Sequence, residues 1–150
     1  MIEVTVQYAV NRRGLPRADT VLRWVQAALR GKKLHASMTI RFVGKNEIIN
    51  LNSEFRRKRV PTNVLSFPSD NAFGRNPVGL GDIVICKAVI KREAMLQCKK
   101  MQAHCAHMVV HGVLHLLGYD HARTGDAQKM EREEIAILAA LGYPNPYLQT

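Results

Sequence analysis

The chain has 150 residues, 47% of them apolar, and carries 22 Lys and Arg against 12 Asp and Glu, a net charge of +10 with neutral histidines. That length suits one domain, 1–150, with a real core; the apolar content excludes a disordered tail, and the lack of any short repeat excludes a collagen, coiled coil or mucin. The charge is uneven: residues 1–60 hold 13 basic and 4 acidic side chains (+9), residues 61–150 hold 9 and 8 (+1). A field of this sign favours nucleic acid, an anionic membrane surface or an acidic protein, and composition alone does not choose among them.

Ile2, Val4, Val6, Tyr8 and Val10 alternate with Glu3, Thr5 and Gln7, which predicts a half-buried strand and no signal peptide. Val21, Leu22, Trp24, Val25, Ala28 and Leu29 recur at helical spacing over about 18–30, with Gly31 as a C-terminal stop. Met38, Ile40 and Phe42 alternate as a second strand. Asn46 is placed to cap a short helix carrying Ile48, Ile49, Leu51 and Phe55, which runs into the basic loop Arg56-Arg57-Lys58-Arg59. Val64–Phe67 and Asp82–Cys86 read as strands, joined by an exposed, mobile loop over 68–79. Three helices follow, over about 87–97, 102–117 and 126–141, the last stopping at Gly142-Tyr143-Pro144.

The order βαβαββααα predicts the α+β (mixed α/β) class: one mixed sheet covered by about five helices, with the histidine-bearing helix buried. Apolar stretches fall short of the roughly 20 residues a membrane-spanning helix needs, so a cytoplasmic protein without membrane contact is expected. Cys86, Cys98 and Cys105 form neither a CxxC pair nor a disulfide framework; all three read as small buried hydrophobes in a reducing compartment.

Five of the six histidines lie between His104 and His121. His111 and His115 are four apart, which sets both imidazoles on one helix face within reach of a single metal ion. Gly118 permits a left-handed turn, after which His121 can swing back toward the same point, giving H-x3-H-x2-G-x2-H. Three neutral histidines with an open fourth position describe a catalytic zinc site, one ion per chain, although another divalent metal fits the same ligands. His107 and His111 are also four apart, but a site there would sit about one turn, roughly 5 Å, farther from Gly118; His104 and His107 are therefore read as supporting or ordinary helix residues. Metzincin proteases share the spacing but carry a glutamate base directly after the first histidine, where this chain has Gly112. A metzincin-like metalloprotease thus ranks behind other hydrolases. Asp120 either orients a ligand or caps the turn, the second being the simpler reading.

The stretch His111-Gly112-Val113-Leu114-His115-Leu116-Leu117-Gly118-Tyr119-Asp120-His121 closely resembles the HGxLHLxGYDH signature of the YbeY family of bacterial endoribonucleases. Leu51-Asn52 with Phe55-Arg56, then Pro61–Pro68, Leu80–Ile85, Leu141-Gly142-Tyr143 and Asn145-Pro146-Tyr147, look like that family's further motifs in its order. The resemblance implies a metal-dependent, single-strand-specific ribonuclease that acts on ribosomal RNA, notably the 3′ end of the small-subunit (16S) RNA, with a part in ribosome quality control. It implies His111, His115 and His121 as metal ligands and Arg56 as the functional arginine, where a guanidinium would bind phosphate bidentately. Arg57, Lys58, Arg59, Asn63 and Ser66 are expected to contact substrate. Two departures stand out: Asn63 replaces a frequent aspartate, and Lys58 and Arg59 make the loop more basic, which adds phosphate attraction without base readout. The implied partners are ribosomal RNA and the ribosome, with its proteins or assembly factors. A non-catalytic, zinc-containing ribosome-assembly factor is the remaining alternative.

Overall fold

The computed structural model describes residues 1–69, 78–120 and 124–148. Nine elements follow in the expected order: β1 (Ile2–Tyr8), α1 (Ala18–Ala28), β2 (Ala36–Val43), α2 (Lys45–Arg56), β3 (Val64–Pro68), β4 (Val78–Cys86), α3 (Lys87–Leu96), α4 (Met101–Leu116) and α5 (Thr124–Ala140). The strands make one mixed sheet in the order β1-β2-β4-β3, with β1, β2 and β4 parallel and β3 antiparallel to β4. β4 thus enters between β2 and the strand that precedes it in the chain.

Local differences from the expected boundaries have simple causes. α2 starts at Lys45 with Gly44 as its N-cap, so Asn46 lies inside the first turn and makes no cap. Pro68 closes β3 and Val78 opens β4, which shortens the expected loop at both ends; residues 70–77 lie outside the described ones. Cys86 and Cys105 are buried as expected, but Cys98 is exposed. It follows α3 in a left-handed turn (φ 53°), a conformation that belongs to loop surface rather than to a packed face.

One face of the sheet packs Met38, Ile40, Phe42, Ile83 and Ile85 against Val21, Trp24 and Val25 of α1 and the apolar side chains of α4, with Met130, Ile137 and Leu138 of α5 closing the layer. A smaller cluster, Val43, Ile48, Leu65, Val84 and Cys86, joins α2 to the other face. α4 touches α1, α3, α5, β3 and β4, which is why its sequence is apolar almost all round. A polar side chain in such a helix needs a built partner, and that requirement shapes the site.

Gly112 sets how closely α4 approaches the sheet. A Cβ there would stand 2.9 Å from Ile83 Cγ2 and 3.0 Å from its Cδ1, and Ile83 is fully buried and has nowhere to go. Gly112→Ala is expected to cost about 1–3 kcal/mol through overpacking, which the roughly 1 kcal/mol gain in helix propensity offsets only in part. A lowered midpoint in urea denaturation checks this. The residue directly after His111 is thus a glycine packed against Ile83 of β4, and it supplies no metzincin-type base.

Candidate metal centre and cleft

α4 ends in a Schellman turn. Gly118 adopts φ 98°, its N–H donates to the His115 carbonyl (3.0 Å), and the Tyr119 N–H donates to the Leu114 carbonyl (3.0 Å). The chain therefore reverses where expected, and Asp120 lands in the same cleft as His111 and His115. His121, the expected third ligand, lies outside the described residues.

His111 and His115 present their Nε2 atoms to each other 3.1 Å apart. Two nitrogens that share one ion at about 2.1 Å each stand roughly 3.0–3.4 Å apart, so the pair fits a shared metal. The other ring nitrogen of His111 supports that use, because Nδ1 hydrogen-bonds Glu134 Oε1. Glu134 is fully buried on α5. Burial pushes its carboxyl up, but hydrogen bonds from His107, His111 and Tyr147 outweigh this and hold it at about 2. An ionised carboxylate there keeps the His111 proton on Nδ1 and leaves the Nε2 lone pair facing His115, the carboxylate–histidine arrangement common behind metal ligands.

The same carboxylate gathers two more groups. His107 Nε2 lies 3.2 Å from Glu134 Oε2, and the Tyr147 hydroxyl donates to that oxygen. Burial raises the Tyr147 hydroxyl above its ordinary range, and the bond to Glu134 adds to the shift. Donor atoms of His107, His111 and Glu134 all lie within 4.8 Å of one another, so this buried cluster could also hold a metal ion. His104 belongs to a separate network: its Nε2 lies 2.9 Å from Glu93 Oε1, and burial lowers its pKa while Glu93 opposes the shift.

His111 and His115 open onto a cleft of about 740 Å³ that also receives Phe55, Arg56, Asn63 and Ser66. Such a volume suits a small ligand or a short length of polymer. Arg56 is there because α2 ends on it. Arg57 turns left-handed (φ 56°), and Asn52 Nδ2 donates to the Val60 carbonyl (2.9 Å), which ties the basic loop back onto its helix. Arg57, Lys58 and Arg59 are exposed beside the cleft and do not line it. Arg56 makes no ion pair among the described residues.

Ser66 Oγ reaches the Gly112 carbonyl at 3.4 Å, a tie between β3 and α4. Asn63 lines the cleft with its amide already engaged: Nδ2 donates to Glu93 Oε1 (3.1 Å), and Oδ1 accepts from the Val64 N–H (2.7 Å). An aspartate at 63 would face the Glu93 carboxylate, so the asparagine matches its neighbour.

Sequence reasoning missed Glu134 and Tyr147. Glu134 had one signal, an acid on the apolar stripe Met130, Ile137 and Leu138, where an unpaired charge would be costly. Tyr147 stood in a quoted motif whose role was not apparent.

Half-buried imidazoles and an exposed guanidinium share one cleft, a donor set that suits a metal-assisted hydrolase with an anionic substrate. Residues 9–142 match the family model of endoribonuclease YbeY. The chain is 48% identical over 148 residues to an endoribonuclease YbeY of Nitrosococcus oceani, covering 97% of each. It is 44% identical over 150 residues to one of Coxiella burnetii, covering 98% of this chain and 99% of that one. The chain therefore belongs to the YbeY family and is a nuclease hydrolase. The solution structure of TM1509 from Thermotoga maritima shares the fold, with a TM-score of 0.60 at 21% identity over 95% of this chain and 92% of that one. No helix among the described residues is long and apolar enough to cross a membrane.

Proposed function

We propose that all 150 residues act as one domain, a metal-dependent endoribonuclease that cuts single-stranded ribosomal RNA during ribosome maturation in the cytoplasm. The 3′ end of the small-subunit RNA and RNA marked for ribosome quality control are the substrates that the family resemblance favours. The observation that carries this reading is the convergence of His111 and His115 Nε2, 3.1 Å apart, on the cleft that Arg56 lines.

His111, His115 and His121 would hold one zinc ion, which supplies Lewis acidity toward water or a phosphate oxygen. We favour this position over the His107–His111–Glu134 cluster because Glu134 is sealed from the cleft and already accepts hydrogen bonds from His107, His111 and Tyr147. Arg56 carries the substrate side. Its guanidinium donates two parallel hydrogen bonds to the phosphate beside the scissile bond, and the exposed Arg57, Lys58 and Arg59 draw the backbone in without reading bases. Glu134 keeps the His111 ring turned so that Nε2 faces the cleft. Asn63, committed to Glu93 and Val64, shapes the wall, and Ser66 braces it against α4.

The test is cleavage of a single-stranded rRNA fragment by wild type, by the chelator-stripped protein and by Arg56→Lys, all purified identically. Stripping is expected to abolish cleavage and zinc to restore it. Lysine keeps the charge but loses the fork, so Arg56→Lys should lower kcat/KM about 10- to 100-fold, in keeping with a charge-assisted bond of about 1.5–3 kcal/mol. RNA binding without metal-dependent cleavage would leave an assembly factor in place of an enzyme.

A further inference from the structure

Phe55 is a large apolar side chain left 58% exposed. It sits on the last turn of α2, directly before Arg56, and four cations follow it in the chain. Its neighbour is Phe67 of β3, half-buried, with ring centroids 5.0 Å apart and planes inclined at 64°. Both rings line the cleft that holds Arg56, His111 and His115. An edge-to-face pair leaves ring surface uncovered, and the exposure of Phe55 places that surface at the cleft. A phenyl ring among cations is poorly suited to an apolar protein partner, which the adjacent charges would oppose. It suits a polyanion that carries flat apolar groups.

We propose that Phe55, braced by Phe67, is a stacking platform for an unpaired nucleobase of the RNA strand whose phosphate Arg56 holds. This deepens the ribonuclease reading and rests on it. Phosphate and base are joined through one sugar, so a guanidinium and an aromatic ring on consecutive residues can engage one nucleotide at two points. The platform also gives a physical origin for single-strand preference. A paired base inside a duplex has both faces covered by its neighbours, whereas an unstacked base offers one face to the ring at no unpairing cost. Stacking tolerates every base, so the platform selects strandedness rather than sequence.

The test uses the zinc-loaded protein and a 12-nucleotide single-stranded RNA whose cleaved bond has been mapped. Companion RNAs carry one abasic residue at each position flanking that bond. In wild type, one abasic position is expected to raise KM about 5- to 150-fold with kcat little changed, the range of one lost base–aromatic stack. Phe55→Leu should raise KM for the intact RNA by a similar factor, and the abasic residue should then cost it nothing further. Phe55→Trp, which keeps a π-face, should hold the wild-type KM. Phe55 is exposed, so the fold is not at stake, and circular dichroism confirms this for each variant. An unchanged KM in Phe55→Leu, or an abasic penalty that persists in it, overturns the platform while leaving the nuclease intact. A wild type that cleaves none of the RNAs overturns the ribonuclease reading and the platform together.

Discussion

His115→Ala is expected to reduce bound zinc from about one ion per chain to a trace and to abolish RNA cleavage. In the proposed site the ring contributes one of three nitrogens, and the two that remain would form an ordinary weak pair. Groups that merely support a ligand cost 10- to 100-fold when removed, so loss of the ligand itself should exceed about 100-fold in metal affinity and in kcat/KM. Folding should survive, because His115 is only half-buried at the cleft. Metal bound to the native state adds about 2.7 kcal/mol of stability at a hundredfold excess over its Kd. Chelation should therefore lower the melting temperature of wild type and leave that of His115→Ala unmoved. A variant that retains its zinc would relocate the ion to the His107–His111–Glu134 cluster.

Glu134→Gln is the complementary experiment. Glutamine can still accept from His111 Nδ1, but its amide N–H₂ meets His107 Nε2 and the Tyr147 hydroxyl where an oxygen now accepts from both. The loss of a buried, charge-assisted hub should cost about 1–3 kcal/mol of stability. Zinc affinity should fall about 10- to 100-fold, since His111 loses the carboxylate that fixes its ring. Competition with a chromophoric chelator measures that affinity directly. Excess zinc should restore most of the cleavage, because in the proposed site Glu134 acts on the ligand and would touch neither the ion nor the RNA. If excess zinc restores nothing, Glu134 is itself a ligand, and the two variants together separate the two arrangements.

What could be read in advance follows the range over which each physical rule acts. His111, His115 and Gly118 obey local rules: four residues make a helical neighbour, and a glycine past the last turn takes a left-handed cap. The nine elements were legible for the same reason, each carrying its own periodicity. Strand order was not, because the place of β4 between β2 and β3 is decided by pairing between distant segments. Arg56 emerged from motif resemblance alone, as four consecutive cations offer no local ground for choosing one. The structure brings it into the cleft because α2 stops there and Arg57 turns away. Glu134 was hidden because its meaning depends on His107 and His111, on a helix that only tertiary packing brings alongside. Cys98 was misjudged because its exposure follows from a backbone turn, which residue type does not predict.

The spacing of His111 and His115 has a mechanical corollary. Both donors stand on one helix, so their separation is a property of the helical repeat and not of the tertiary assembly. The opposite wall of the cleft belongs to β3, a five-residue edge strand that pairs, among the described residues, with β4 and is tied to α4 through Ser66 Oγ and the Gly112 carbonyl. The cleft is thus bounded on one side by the helix that sets the spacing of these two nitrogens and on the other by a strand braced against that same helix.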